Sequence, residues 1–360
     1  MHEVICTRFS IRVLDETGMS EQLIVEQVLE RFRHFLEERK RLAKPLERGG
    51  PPLTSDATVN VYYIYARRFL REVWAKHRCL PLPPPEDTIR EFFSILRKRA
   101  KPKTLVAYYA AVKNLYAAMS WPWSIDWREF IPEVERFSDQ PYLKREEIEK
   151  VIHYAEEKAQ SGNPIHIRNV VILYLLKYGL RPEDIRRLKA ENITFEKIRE
   201  EETGETYEAC VIRYTPCKRG RPAVKILNRK ASTWLQRWLG YLEFVFGKDL
   251  VTFAPIAPSF RAKAPPNLKS RLKRLQARLA KPMSRQAIYW IVRRLIVDAL
   301  GPKTGDRRCP YAIRRGVIVH LIESGKRLED INRFFAWRTP MAMIYDKRSQ
   351  LEVSKQFINI

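Results

Sequence analysis

The chain has 360 residues, 67 Lys+Arg against 42 Asp+Glu, a formal net charge of +25 and a pI near 9.9. An apolar fraction of 45 % is ordinary for a globular protein, and the length fits two or three folded domains with ample buried core. The charge excess concentrates polyanions and makes nucleic acid the leading partner, ahead of non-specific attraction to acidic membrane.

The first residues, MHEVICTRFSIRVLDE, carry scattered charges and no apolar segment of signal-peptide length. The most apolar run, Val170 to Leu176, is too short to span a bilayer. Five cysteines (Cys6, Cys79, Cys210, Cys217, Cys309) form no CxxC pair, so neither a disulfide framework nor a zinc site is expected. These features point to a cytoplasmic, nucleoid-associated protein, or a nuclear one in a nucleated host, with no membrane partner.

Along the chain, Ile5, Thr7, Phe9, Ile11 and Val13 alternate and read as one strand. Leu23, Val25, Val28, Leu29, Phe32, Phe35 and Leu36 recur at helical spacing over 20–43, and Gly49-Gly50-Pro51-Pro52 ends that segment. Residues 1–54 thus form an N-terminal extension suited to binding accessory DNA or a protein. Residues 55–137 read as a small helical domain. Thr58 to Trp74 is one helix. A rigid loop follows through Pro81, Pro83, Pro84 and Pro85. Asp87 is expected to cap a helix with Ile89, Phe92, Phe93 and Leu96. Lys101-Pro-Lys103-Thr104 opens another helix, and its free N–H groups suit a phosphate. Ser138-Asp139-Gln140-Pro141 reads as a linker. Residues 138–360 form a larger domain, mostly helical, with a strand pair at Cys210–Tyr214 and Val224–Leu227 around the turn Arg219-Gly-Arg221-Pro222.

Three segments carry chemistry. In LKYGLRPEDIRRL, Gly179 suits a helix end and Pro182 a helix start, so Arg181 sits at a rigid corner with its planar cation aimed. In YAIRRGVIVHLIESG, Tyr311, Arg314 and Arg315 fall at i, i+3 and i+4 on one face, beside a stripe of Ile313, Val317 and Leu321. Such a face needs an anionic partner or solvent. Downstream, FAWRTPMAMIY follows a short helix and places Trp337 and Tyr345.

Together these segments resemble the tyrosine recombinase (phage integrase) family over roughly residues 55–350. LLKYGLRPEDIRRLKAENI is similar to its first box, and the resemblance assigns the first catalytic arginine to Arg181 and the acidic position to Asp184. YAIRRGVIVHLIESG is similar to the second box, which assigns the second arginine to Arg314. The family's hairpin lysine falls on Lys218 in PCKRGRPAVKIL, with Arg219 and Arg221 beside it. The nucleophile position falls on Tyr345. Where the family usually has histidine, this chain has Tyr311 and Trp337, and a phenol is a poor base at neutral pH.

The resemblance implies a mostly α fold with a small β-sheet: a helical core-binding domain, then a catalytic domain of the DNA breaking–rejoining type, closing as a clamp on double-stranded DNA. It implies cleavage through a 3′-phosphotyrosine at Tyr345 and assembly as a homo-tetramer on DNA, with no metal, cofactor or small-molecule substrate. DNA contacts are expected from Lys103, Thr104, Arg219, Arg221 and Arg315. They are also expected from a stretch, 259–285, with nine basic residues and no acidic one, in which Lys269, Arg271, Lys273, Arg274, Ser284 and Arg285 stand out. Two alternatives use the same residues: DNA relaxation of the type IB topoisomerase kind, and a non-catalytic DNA-binding protein that keeps the fold.

Overall fold

The structure, a computed structural model, describes residues 21–42, 55–77, 80–130, 141–200, 204–217, 221–265, 268 and 270–346. The strand expected within 1–18, the first three residues of the linker expected at 138–141, and Lys218, Arg219 and Lys269 lie outside the described residues. The chain divides into two compact units, Met1–Glu135 and Arg136–Ile360.

The first unit is helical: α1 (Glu21–Arg41), α2 (Asp56–His77), α3 (Glu86–Arg97) and α4 (Pro102–Ala118). Leu29, Phe32 and Leu36 of α1 follow i, i+3, i+7 spacing and are buried in the same core as Phe69, Phe93, Leu105 and Leu115. The segment read as an N-terminal extension therefore supplies core to this unit. Full burial of a side chain such as Phe32 contributes roughly 1.5–3 kcal/mol. The proline loop is held by Tyr116, whose hydroxyl donates to the Pro84 carbonyl at 2.6 Å. One expectation is corrected: Pro85, not Asp87, is the N-cap residue of α3. Pro85 already has the extended backbone that a helix entry needs. Glu86 and Asp87 then fall in the first turn, where their charge complements the helix dipole.

The second unit centres on α6 (Pro164–Lys177), in which Ile167, Arg168 and every residue from Val170 to Leu176 are buried. Around it pack α5 (Arg145–Ala159), α8 (Arg229–Phe246), α11 (Arg285–Leu300) and α12 (Pro310–Glu323). The short helices α7 (Pro182–Arg187), α9 (Lys248–Val251), α10 (Arg271–Leu279) and α13 (Leu328–Phe334) complete the unit. Glu156 ties three of these helices. Its buried carboxylate accepts from Tyr174 Oη at 2.7 Å and Trp234 Nε1 at 2.9 Å, and pairs with Lys230 at 2.6 Å.

The expected strand pair is a three-stranded antiparallel sheet in the order β1 (Ile193–Arg199), β2 (Thr206–Tyr214), β3 (Ala223–Ile226). β1 went unread because its alternation of Ile193 and Phe195 with polar residues breaks at Lys197, which is exposed. Pairing with β2, Phe195 opposite Cys210, makes the strand.

In α12 the buried residues are Pro310, Ala312, Ile313, Arg314, Gly316, Ile318, Val319 and Ile322. The expected stripe is thus wider and shifted, because α5, α6, α11, α13 and the 3₁₀ turn Met341–Tyr345 all pack on this helix. Gly316 lets the chain cross it backbone to backbone. Leu143 N donates to Ala312 O at 3.2 Å, and a Cβ at Gly316 would lie 1.9 Å from the Leu143 carbonyl oxygen. A carbonyl in the main chain cannot rotate away as a side chain would. Gly316→Ala is therefore expected to destabilise this unit by about 3 kcal/mol. Denaturant unfolding measures the loss, and an unchanged midpoint would contradict the close approach.

Candidate active site

Arg181 is placed by the helix corner that its sequence describes. Gly179 takes a left-handed φ of +87°, and Leu180 N donates back to Leu175 O at 3.0 Å. Arg181 is the residue before α7, and Pro182 opens that helix. Asp184, on the first turn, is buried, and its Oδ2 accepts from Arg181 N at 3.0 Å. Its Oδ1 accepts from Cys217 N at 2.9 Å. The Arg181 guanidinium lies 3.8 Å from the same carboxylate. Asp184 thus anchors both the arginine and the backbone at Cys217, three residues past the end of β2.

Arg314 rises from α12 and is 5 % exposed. Its Cζ lies 4.5 Å from the Phe335 ring centroid and 5.7 Å from that of Trp337. Among the described residues, its Nη2 has no hydrogen-bond acceptor. Burial, and then the neighbouring Arg181 charge, push Arg314 down to about 10. Two cations so close, with one donor unsatisfied, favour an anion at that point.

Tyr345 reaches this cluster through ring stacking. Phe335 stacks on Trp337 at 5.0 Å and 19°, and Trp337 on Tyr345 at 6.1 Å and 6°. Gly179 permits the first ring: a Cβ there would lie 2.5 Å from Phe335 Cε1. Asn332 fixes the segment, its Oδ1 accepting from Ala342 N at 3.0 Å and its carbonyl accepting from Trp337 N at 3.0 Å.

The phage integrase family model matches residues 141–351 of this chain. The chain belongs to the phage integrase family. Solved structures of tyrosine recombinases share its fold. XerH site-specific recombinase bound to difH substrate aligns at TM-score 0.62 and 15 % identity, covering 93 % of this chain and 96 % of that one. The Tn1549 transposon integrase with transposon right end DNA aligns at 0.52 and 13 %, covering 91 % and 98 %. A lambda integrase tetramer bound to a Holliday junction aligns at 0.51 and 13 %, covering 96 % and 87 %. Comparison by sequence with curated proteins gives no match.

Of the residues that the integrase resemblance singles out, the structure brings Arg181, Arg314, Trp337 and Tyr345 to one cluster. Tyr311 is 42 % exposed on the first turn of α12, whereas Arg314 is buried, so the two differ in surroundings despite their spacing. Arg315 is half-buried, its Nη2 lying 3.9 Å from Cys309 Sγ. Arg221 is exposed, and its N–H donates to Ala336 O at 3.4 Å. Arg271, Lys273 and Arg274 are exposed on α10. Ser284 caps α11, accepting from Ala287 N at 3.1 Å, with Arg285 exposed beside it. In the first unit, Lys103 is exposed and Thr104 half-buried on the opening turn of α4. No helix among the described residues is long and apolar enough to cross a membrane.

Two site residues escaped the sequence reading. Tyr214, at the end of β2, feels Asp184, Arg314 and Arg181, and burial raises its phenol first of all. Lys225 is 1 % exposed on β3. Its Nζ donates to the Phe334 carbonyl and lies 3.3 Å from the Phe334 ring centroid. Burial, and then Arg314, push Lys225 down to about 7 from 10.5. Its signal was inverted: Val224 and Ile226 are exposed while the lysine between them points inward.

A stability dependence on pH follows. Between about pH 7 and 10.5 the unfolded chain holds a proton at Lys225 that the folded chain has released, so this group's contribution to unfolding free energy rises with pH there. Below pH 7 both states are charged and the full burial cost remains. Lys225→Met removes this contribution. Its stability relative to the unsubstituted protein is expected to be highest near pH 6 and to decline toward pH 10, as read from urea midpoints. A gap independent of pH would contradict the burial effect.

Proposed function

We propose that this protein is a site-specific recombinase that cleaves and rejoins double-stranded DNA through Tyr345. The observation that carries the reading is Arg314, a buried arginine whose Nη2 lacks an acceptor, set beside Arg181 and the ring stack that ends in Tyr345. A phosphodiester supplies the missing acceptor, and its transition state carries more charge than its ground state. Aimed cations stabilise that difference, commonly by several kcal/mol per group.

In the proposed step, deprotonated Tyr345 Oη attacks phosphorus and the bond to the 5′ oxygen breaks. Lys218 protonates the departing alkoxide. The 3′-phosphotyrosyl bond conserves the energy for religation, when a 5′ hydroxyl displaces the tyrosine. Asp184 holds both the Arg181 backbone and the strand end leading to Lys218. Trp337 has an indole N–H to offer where the family usually has histidine. DNA affinity comes from the basic residues at 259–285 and from Lys103, Thr104, Arg219, Arg221 and Arg315, so it falls steeply with added salt. The lambda integrase neighbour is a tetramer on a Holliday junction. We extend the same assembly, four copies on two sites, to this chain.

Covalent trapping tests the reading. Nicked duplexes from the DNA flanking its gene are incubated with the protein in EDTA and resolved on a denaturing gel. A protein–DNA adduct is expected, absent in Tyr345→Phe and slowed roughly 10²–10³-fold in Arg314→Ala, the usual size for losing one such donor. Absence of the adduct on DNA that the protein binds would favour a non-catalytic DNA-binding protein. Relaxation of supercoiled plasmid without sequence preference would favour the topoisomerase alternative.

A further inference from the structure

We propose that Lys225 is a positioning residue for Tyr345, holding from the inner face of β3 the turn on which the nucleophile's ring stack is built. The proposal rests on the phosphotyrosine reading above.

The turn Phe334–Trp337 needs outside support. Ala336 has a positive φ of +53°, a region that crowds its Cβ. Two carbonyls of the turn are held from the β3 side. Lys225 Nζ donates to Phe334 O, and Arg221 N donates to Ala336 O at 3.4 Å. Those carbonyls flank Phe335. The Phe335 ring supports Trp337 on one side and lies against Arg314, and Trp337 in turn supports Tyr345. A shift at Phe334 therefore reaches the nucleophile and one arginine of the site together.

Packing alone does not call for a lysine here. No carboxylate among the described residues pairs with Lys225, and its nearest charged influence, Arg314, is repulsive. Methionine would fill similar volume without taking an amine out of water. What the ammonium adds is a charge-assisted hydrogen bond to one carbonyl and a cation–π contact to the ring of that residue, at 3.3 Å from the centroid. Both interactions end on the turn. Neither touches the phosphate position, so Lys225 acts through Phe334 and its neighbours, whereas Lys218 donates the proton.

The test compares the full chain with Lys225→Met in three measurements. The first is the rate of Tyr345 adduct formation on nicked duplex. The second is affinity for the same DNA. The third is amide hydrogen exchange over 331–345. For Lys225→Met, adduct formation is expected to slow at least tenfold while DNA affinity stays within twofold. Exchange in 331–345 is expected to quicken, with an unfolding midpoint at pH 7 no lower than that of the unsubstituted protein. A lysine that only packs would leave the ratio of cleavage rate to affinity unmoved in Lys225→Met, which overturns the proposal. Unchanged exchange in 331–345 also overturns it, whether or not an adduct forms. If the unsubstituted protein forms no adduct on DNA it binds, the phosphotyrosine reading fails by itself, and hydrogen exchange still decides the role of Lys225.

Discussion

Asp184 accepts hydrogen bonds from two backbone N–H groups in different parts of the second unit, Arg181 N and Cys217 N. The carboxylate is buried, so losing either bond would leave a polar group stranded away from water, at about 1–3 kcal/mol each. That cost holds the corner of α7 against the end of β2. The rest of the site depends on this join, because one side places Arg181 and the other fixes the backbone at Cys217.

Around that join, the cluster combines electrostatic strain with aromatic support. Burial, and then the Arg181 charge, lower the preference of Arg314 for its charged form. Arg314 meets the faces of Phe335 and Trp337 rather than a carboxylate. A ring face attracts a cation without satisfying its N–H groups, so the donor stays available to a phosphate. The same rings carry Tyr345. Tyr345 and the Arg314 guanidinium thus share one ring stack, whose base fits only because Gly179 has no side chain.

Much of this was readable in the linear order of residues. Gly179, Arg181, Pro182 and Asp184 describe a helix end, a corner and a helix start through local backbone rules that need no distant partner. Helical spacing revealed α1 to α4 and the helix bearing Arg314. The phage integrase match over residues 141–351 agrees with the boxes that those residues form. Local rules gave weaker guidance where tertiary contacts compete. The cap of α3 falls on Pro85 rather than Asp87. α1 joins the core of the first unit, and β1 exists through its pairing with β2.

The sequence by itself determined the charge that selects polyanions, the helical character of both units, and the order Arg181, Lys218, Arg314, Tyr345. Each of these depends on composition or on neighbours within a few residues. Only the tertiary structure decided which face of a short strand turns inward. In Ala223–Ile226 the alternation alone would bury Val224 and Ile226, yet Lys225 is buried and those two are exposed. Likewise, equal helical spacing placed Tyr311 and Arg314 together, but packing buried one and left the other in solvent. Burial is a property of what packs across an element. Contacts from α13 and the turn at Phe334–Trp337, more than a hundred residues from β3, are outside the reach of any local pattern.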